Sequence, residues 1–337
     1  MRNYQRSLIF KVFGTMIFIH NGRKWVVSIK QAIALAVFFL ALSAHGEINP
    51  SRDWESSLYA DHELVGKIWS SRSEEFIELE DVLSAIESAS YLFLGEKHDN
   101  PDHHLLQLTV LNHLLDQGRV STVAFEMMDS DQAPLLPQLK TQSIDTLDDL
   151  KNALAWDDDG WEWLFYGPML HSAHKAGVRI TAANINSDTI SSVYSESAPA
   201  ENSVVLEDNA MKQLADDIDE SHCGLLPESQ FPAMVRVQQA RDESMAQSLR
   251  QTDSEQLGVL IAGNYHVRHD LSVPNYLLAQ NKELIREQII SLSFMEVVPG
   301  ESEPEAYLQQ FGEYKAYDYI WFTPSISDED YCASLRQ

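Results

Sequence analysis

The sequence predicts an α/β fold: a mostly parallel sheet flanked by helices, with a small helical subdomain inserted into it. Three observations carry this. Short apolar runs alternate with helical patterns along most of the chain. Two of those runs end in the same tetrapeptide pattern, Gly-x-x-His, at Gly95-Glu96-Lys97-His98 and Gly263-Asn264-Tyr265-His266. Two stretches, 129–167 and 205–252, break the alternation with helix-forming sequence only.

In chain order, Leu64–Ser70 and Phe76–Leu79 read as a short hairpin, and Glu80–Ser88 as a helix. Tyr91–Leu94 is a buried-strand run. Asn100-Pro101-Asp102 is a helix start, with Asn as N-cap, Pro in the first turn and an acid at the positive end of the dipole. That helix carries leucines at 105, 106, 108, 111, 114 and 115, and Gly118 ends it. Thr122–Phe125 is the next strand, closed by Glu126. Pro168–Ala176 is helical, Val178–Ala183 a strand, Leu257–Ala262 a strand, Val273–Gln280 a helix, Gln288–Ser293 a strand and Tyr317–Phe322 the last strand. Phe231–Arg250 is the second helix of the later insertion. The expected organisation is a signal peptide over 1–46, an α/β core from 47–128, 168–204 and 253–337, and a helical subdomain from 129–167 and 205–252.

Residues 1–46 hold six basic residues and no acid; the rest carries 18 basic against 51 acidic residues. So acidic a surface repels nucleic acid and anionic lipid. Arg23, Lys24 and Lys30 followed by the apolar run Ala32–Leu42 and the small residues of Ala44-His45-Gly46 read as a secretory signal with its cleavage site. The long lead before Lys30 makes Met16 an alternative start of translation. The run is short for a membrane span, and no Cys follows it to take a lipid anchor. The expected mature protein is soluble and periplasmic or secreted, with no stable membrane insertion. Its two cysteines, Cys223 and Cys332, suit a disulfide in that compartment, with two free thiols as the alternative.

Glu96, His98, Glu126 and His266 form the candidate constellation, each at or just past a strand end. Two imidazoles with carboxylates can hold zinc, manganese or iron, or divide acid, base and orienting roles among themselves. Asp99 and Asn184 are expected at the same edge as orienting partners. His103 and His104 are adjacent on a helix, face different ways, and are assigned to the rim. Arg268, two residues beyond His266, is a candidate for a carboxylate or propionate. The Trp-rich loop Trp156–Tyr166 either lines a flat apolar ligand or cements a subdomain junction.

The run Leu94–His104 resembles the opening signature of the ChaN-like haem-binding proteins, of the superfamily that includes the Tiki and TraB proteins. The likeness continues through Phe125-Glu126-Met127, Trp161–Pro168, Ala182–Asn184, Ser221–Gly224, Gln239–Asp242, Ala262–Arg268, Val273-Pro274 and Asp318–Pro324, spanning roughly 60–332. The resemblance implies an exported haem-binding protein of haem or iron uptake, acting without turnover. It also implies a homodimer holding stacked haems through tyrosine. Tyr166 and Tyr265 are the expected haem-binding tyrosines, with Arg268 beside them. In the Tiki relatives both Gly-x-x-His motifs and a nearby Glu belong to a metal-dependent hydrolase. His98, His266, Glu96 and Glu126 are therefore the metal and catalytic set of the alternative function.

Overall fold

A computed structural model describes residues 9–12, 15–20, 23–28, 53–196, 205–253 and 255–335. Strands β1 (Ile9–Val12), β2 (Thr15–His20) and β3 (Arg23–Ser28) form an antiparallel meander by themselves. The apolar run and cleavage site expected over 32–46 lie outside the described residues.

From residue 53 onward the chain builds one eight-stranded sheet. Its strands are β4 (Ile68–Ser70), β5 (Glu75–Ile77), β6 (Tyr91–Glu96), β7 (Val120–Asp129), β8 (Arg179–Asn184), β9 (Leu257–Gly263), β10 (Ile289–Glu296) and, after the small β11 (Gln310–Phe311) and β12 (Tyr314–Lys315) hairpin, β13 (Tyr319–Thr323). The order across the sheet is β5-β4-β13-β10-β6-β9-β7-β8, and every pairing from β13 to β8 is parallel. The expected hairpin is present as β4 and β5, antiparallel to each other, with β4 antiparallel to β13. The sheet is therefore mostly parallel, as the sequence predicts. Its strands are continuous apolar runs because both faces are covered: Leu92, Phe93, Leu94, Val123, Phe125, Leu260, Ile261, Leu292 and Phe294 have no exposed surface.

The helices are α1 (Leu79–Ile86), α2 (Pro101–Asp116), α3 (Leu147–Ala153), α4 (Trp163–Lys175), α5 (Ser187–Ser195), α6 (Asp208–Ser221), α7 (Phe231–Ser248), α8 (Val273–Gln280) and α9 (Tyr331–Leu335). At the start of α2 the Asn100 side chain accepts from the backbone N–H groups of Asp102 and His103. Helix α4 starts at Trp163, capped by Glu162, so Pro168 lies inside it and does not open it. Strand β7 runs on to Asp129 through a register irregularity after Phe125, which lengthens it beyond the expected Thr122–Phe125. Helices α6 and α7 pack on each other through Leu214, Ile218 and Val235. A Cys223–Cys332 disulfide joins the turn between them to α9, so the two free thiols are set aside.

The chain leaves β6 and β7 toward one edge of the sheet and leaves β9 and β10 toward the other. Strand β9 lies between β6 and β7. The carboxyl ends of these three strands are thus neighbours at the place where the connections diverge, the usual position of a ligand crevice in such sheets.

Candidate active site

Register alone brings the two Gly-x-x-His motifs together. Glu96 ends β6 directly beside Gly263, which ends β9. Glu126 on β7 approaches from the other side, its Oε2 accepting the Gly263 N–H at 2.7 Å. Glu96, His98, Glu126 and His266 all line one cavity of about 750 Å³. Helices α6 and α7 line it with the apolar Leu214, Ile218, Met234 and Val237 and the polar Asp217, Gln238 and Arg241.

The two motifs deliver imidazoles into different surroundings. Glu96 is buried, accepts two hydrogen bonds and has a third, ionic neighbour. Tyr166 Oη donates at 2.7 Å and His98 Nδ1 at 2.9 Å to its Oε1, and His104 Nδ1 faces its Oε2 at 2.9 Å. Burial alone would raise this carboxyl, but the His104 and His98 contacts overcome that and hold it far below the ordinary range. His104 has acceptors on both nitrogens, since its Nε2 meets the His98 carbonyl oxygen at 3.0 Å. An imidazole facing acceptors at both ends carries both protons. Burial opposes that charge, and Glu96 raises the His104 pKa in spite of it. His104 also stacks on Phe165, ring centroids 4.4 Å apart.

His98 differs. Its Nδ1 is committed to Glu96 Oε1. The side chain is 42% exposed, and its ring meets Trp161 edge-on at 4.9 Å. Burial would lower its pKa, but the Glu96 bond and the Glu126 charge raise it.

His266 is buried between two acids. Nδ1 lies 2.6 Å from Asp242 Oδ1 and Nε2 lies 3.3 Å from Glu126 Oε1. Burial works against its charge, yet Glu126 and Asp242 push its pKa up to about 10. Glu126 in turn, despite its burial, is held at about 2 by the His266 charge. Burial carries Asp242 the other way, up to about 6, against the pull of His266. His266 is therefore flanked by an acid at each ring nitrogen, which favours its charged form.

The expected metal ligands His98, His266, Glu96 and Glu126 are gathered in one cavity, as two histidine–carboxylate couples. Among the described residues no group of three or more His, Cys, Asp or Glu side chains is arranged to hold a metal ion.

The expected haem contacts need correcting as well. Tyr166 is 1% exposed and spends its hydroxyl on Glu96; burial and that acid raise its pKa, which keeps it a phenol. Tyr265 donates to Asp217 Oδ2 at 2.9 Å, and burial, with Asp217, raises it too. Arg268 is 3% exposed and bonds Asp270 through Nε and Nη2, at 2.9 and 2.7 Å, leaving no face for a propionate. His103 and His104 are not rim residues: both are buried. His103 is neutral, its Nδ1 accepting the Lys97 N–H while its Nε2 meets Thr323 Oγ1, and burial drops its pKa to about 3. Neither expected orienting partner touches a histidine side chain. Asp99 pairs with Lys97, and the Asn184 amide oxygen accepts the Ile185 N–H. The orienting groups are Glu96 and Asp242. The Trp-rich loop packs as a junction: Trp156 donates to the Trp161 carbonyl and meets Trp163 edge-on.

Comparison with known proteins gives the following. The family described as haem-binding uptake, Tiki superfamily, ChaN matches residues 82–277. The solved structure titled as cofacial haem binding to ChaN of Campylobacter jejuni is similar with a TM-score of 0.62 at 26% identity, over 75% of this chain and 95% of that one. A mutant of the erythromycin esterase EreC in its open conformation aligns at a TM-score of 0.45 and 11% identity, over 79% of this chain and 99% of that one. No curated protein sequence matches the chain. No helix among the described residues is long and apolar enough to cross a membrane.

Proposed function

Since the chain belongs to the ChaN family of haem-binding uptake proteins, in the Tiki superfamily, we propose that it binds haem as an exported component of haem or iron acquisition. The observation that carries this reading is the family match over 82–277, together with the similarity to a ChaN whose title records cofacial haem. The Cys223–Cys332 bridge supports export, because such bonds persist in oxidising compartments. The cofacial arrangement in that relative supports a pair of chains presenting haems to each other.

Ferric haem takes a phenolate well, and Tyr166 and Tyr265 are committed elsewhere. Tyr314 fits better. It is 48% exposed, at the mouth of the β11–β12 turn, and the Arg286 guanidinium lies 4.0 Å from its ring centroid. That guanidinium is anchored by its bonds to the His269 carbonyl and to Asn275 Oδ1, at 2.7 and 2.9 Å. The Arg286 contact holds the Tyr314 ring in place. Bound haem would supply the iron, and Tyr314 would hold it. Haemin titration of the purified chain tests the reading: a saturable Soret change with a phenolate-to-iron charge-transfer band is expected, and Tyr314→Phe should remove the band. Absence of any saturable change overturns haem binding.

A further inference from the structure

We propose that the cavity at the ends of β6, β9 and β7 is a binding site for an aliphatic monocarboxylate, with Arg241 of α7 as the group that holds its carboxylate. This is a binding function beyond haem, and it rests neither on the haem reading nor on the charge of the cavity histidines.

The first support is the face that each helix turns to the cavity. On α6 the lining residues are Leu214, Asp217, Ile218 and Ser221. On α7 they are Met234, Val237, Gln238 and Arg241. Both sets follow the i, i+3, i+4, i+7 spacing of a single helix face. The α7 face passes from the apolar Met234 and Val237 to a guanidinium within about two turns. A face that changes from apolar to cationic along its length matches a ligand that is aliphatic at one end and anionic at the other.

The second support is that Arg241 is uncommitted while the acids around it are not. Glu96 is taken by Tyr166, His98 and His104, and Glu126 by the Gly263 N–H and His266. Asp217 is taken by Tyr265 and Arg268, and Glu296 by Lys97 and Asn100. Lys97, which also lines the cavity, is spent on Glu296 and Asp99. Asp242, next to Arg241 in the chain, gives its Oδ1 to His266. Arg241 itself makes no hydrogen bond or ion pair among the described residues, and its Nε is buried. A charged donor withdrawn from water without an acceptor is destabilising. A ligand carboxylate that accepts two guanidinium N–H groups removes that penalty.

The third support concerns ligand class. A planar carboxylate fits the guanidinium fork, and its single charge is matched by a single cation. A phosphate monoester brings close to two negative charges. Beside Glu96, Glu126, Asp217 and Glu296 the surplus charge is repelled. The body of the ligand meets Leu214, Ile218, Met234 and Val237, which are aliphatic and carry no ring. The unbranched Met234 adapts its shape to a flexible chain. A volume of about 750 Å³ lies within the range of pockets that enclose small organic ligands.

The helical side of the site is held in place from both helices. Asp242, one residue beyond Arg241, ties α7 to the sheet edge through His266. Asp217 ties α6 to the turn after β9 through Tyr265 and Arg268. A wall fixed before the ligand arrives spares the ordering cost that a mobile one would add to binding.

The test uses the full chain, free of haem, in isothermal titration with sodium octanoate as the probe and octanamide as its uncharged counterpart. Octanoate should bind saturably with about one site per chain, and octanamide should bind more weakly by about tenfold or more. Arg241→Gln should weaken octanoate by about tenfold or more and leave octanamide unchanged. Arg241→Lys, which keeps the charge without the fork, should fall between. Met234→Glu sets a further carboxylate against the aliphatic chain and should abolish octanoate binding with Arg241 in place. Arg250→Gln, at an exposed position that does not line the cavity, should bind as the wild type. Thermal melting followed by circular dichroism identifies any variant that fails to fold, in which case the other Arg241 variant and Met234→Glu decide. The proposal is overturned by no saturable octanoate binding, by equal affinity for octanoate and octanamide, or by wild-type octanoate affinity in folded Arg241→Gln or Met234→Glu.

Discussion

Nδ1 of His266 lies 2.6 Å from Oδ1 of Asp242, a side chain from the middle of α7. This contact joins the helical wall of the cavity to the sheet edge and, with Glu126 on the other nitrogen, fixes the charge of the imidazole.

Stability should therefore fall on the alkaline side. The His266 pKa rises from 6.5 to about 10 on folding, so its contribution is complete below pH 6.5 and is lost as pH climbs toward 10. Asp242, raised from 3.8 to about 6 by burial, gives a separate decline that is complete by pH 6, because a raised acid stabilises only while protonated. Glu126, held at about 2, contributes above pH 4.5 and is lost only as pH falls through 2. Urea midpoints should be highest at about pH 4 to 5 and, from about pH 6.5 to 9.5, drop by the equivalent of about 4 kcal/mol. His266→Gln should flatten that slope; an equally steep slope in the variant would assign it to other groups.

Asp242→Ala leaves a buried imidazolium with one acid in place of two. Removing one partner of a buried pair costs about 3–5 kcal/mol, and a lower denaturant midpoint of that size is expected. Asp242→Asn, which keeps an acceptor oxygen for Nδ1, should lose clearly less.

Gly263→Ala would place a methyl group 2.8 Å from His98 Nε2 and 2.9 Å from its Cε1. The imidazole, 42% exposed, can swing aside, so the fold should survive with a loss of about 1–3 kcal/mol. Urea denaturation measures that loss, and an unchanged midpoint would show that the ring yields without cost.

The Cys223–Cys332 bridge closes a separation of 109 residues. Loop-closure entropy assigns such a bond about 4 kcal/mol. Dithiothreitol, Cys223→Ser, Cys332→Ser and the double replacement should all lower the unfolding midpoint by the same amount, since each removes the same bond.

The parallel sheet and the meeting of His98, Glu126 and His266 could be read from the chain because they depend on local pattern. Buried strands are apolar runs, and a glycine turn at each strand end sets the imidazole at one edge. Asp242 could not be read that way. It lies in a helix of Met, Gln, Arg and Ala, where an acid reads as solvated, and its partner on the sheet edge is 24 positions away. The fates of Tyr166 and Arg268 were hidden for the same reason: the acids that occupy them, Glu96 and Asp270, are identified as partners only by the folded contacts. His103 and His104 were misplaced by an argument sound for one site. Adjacent helical residues do diverge, but the N-terminus of α2 is wedged into the sheet edge, so the two rings meet different buried acceptors, Thr323 and Glu96.

The groups that line the crevice come from β6, β7, the turn after β9, and α7, and none of these segments holds two opposing walls of it. No excised stretch of the gene encodes the crevice. A split version should rebuild it only when its halves reassemble, which would make this chain usable as a reporter of fragment complementation.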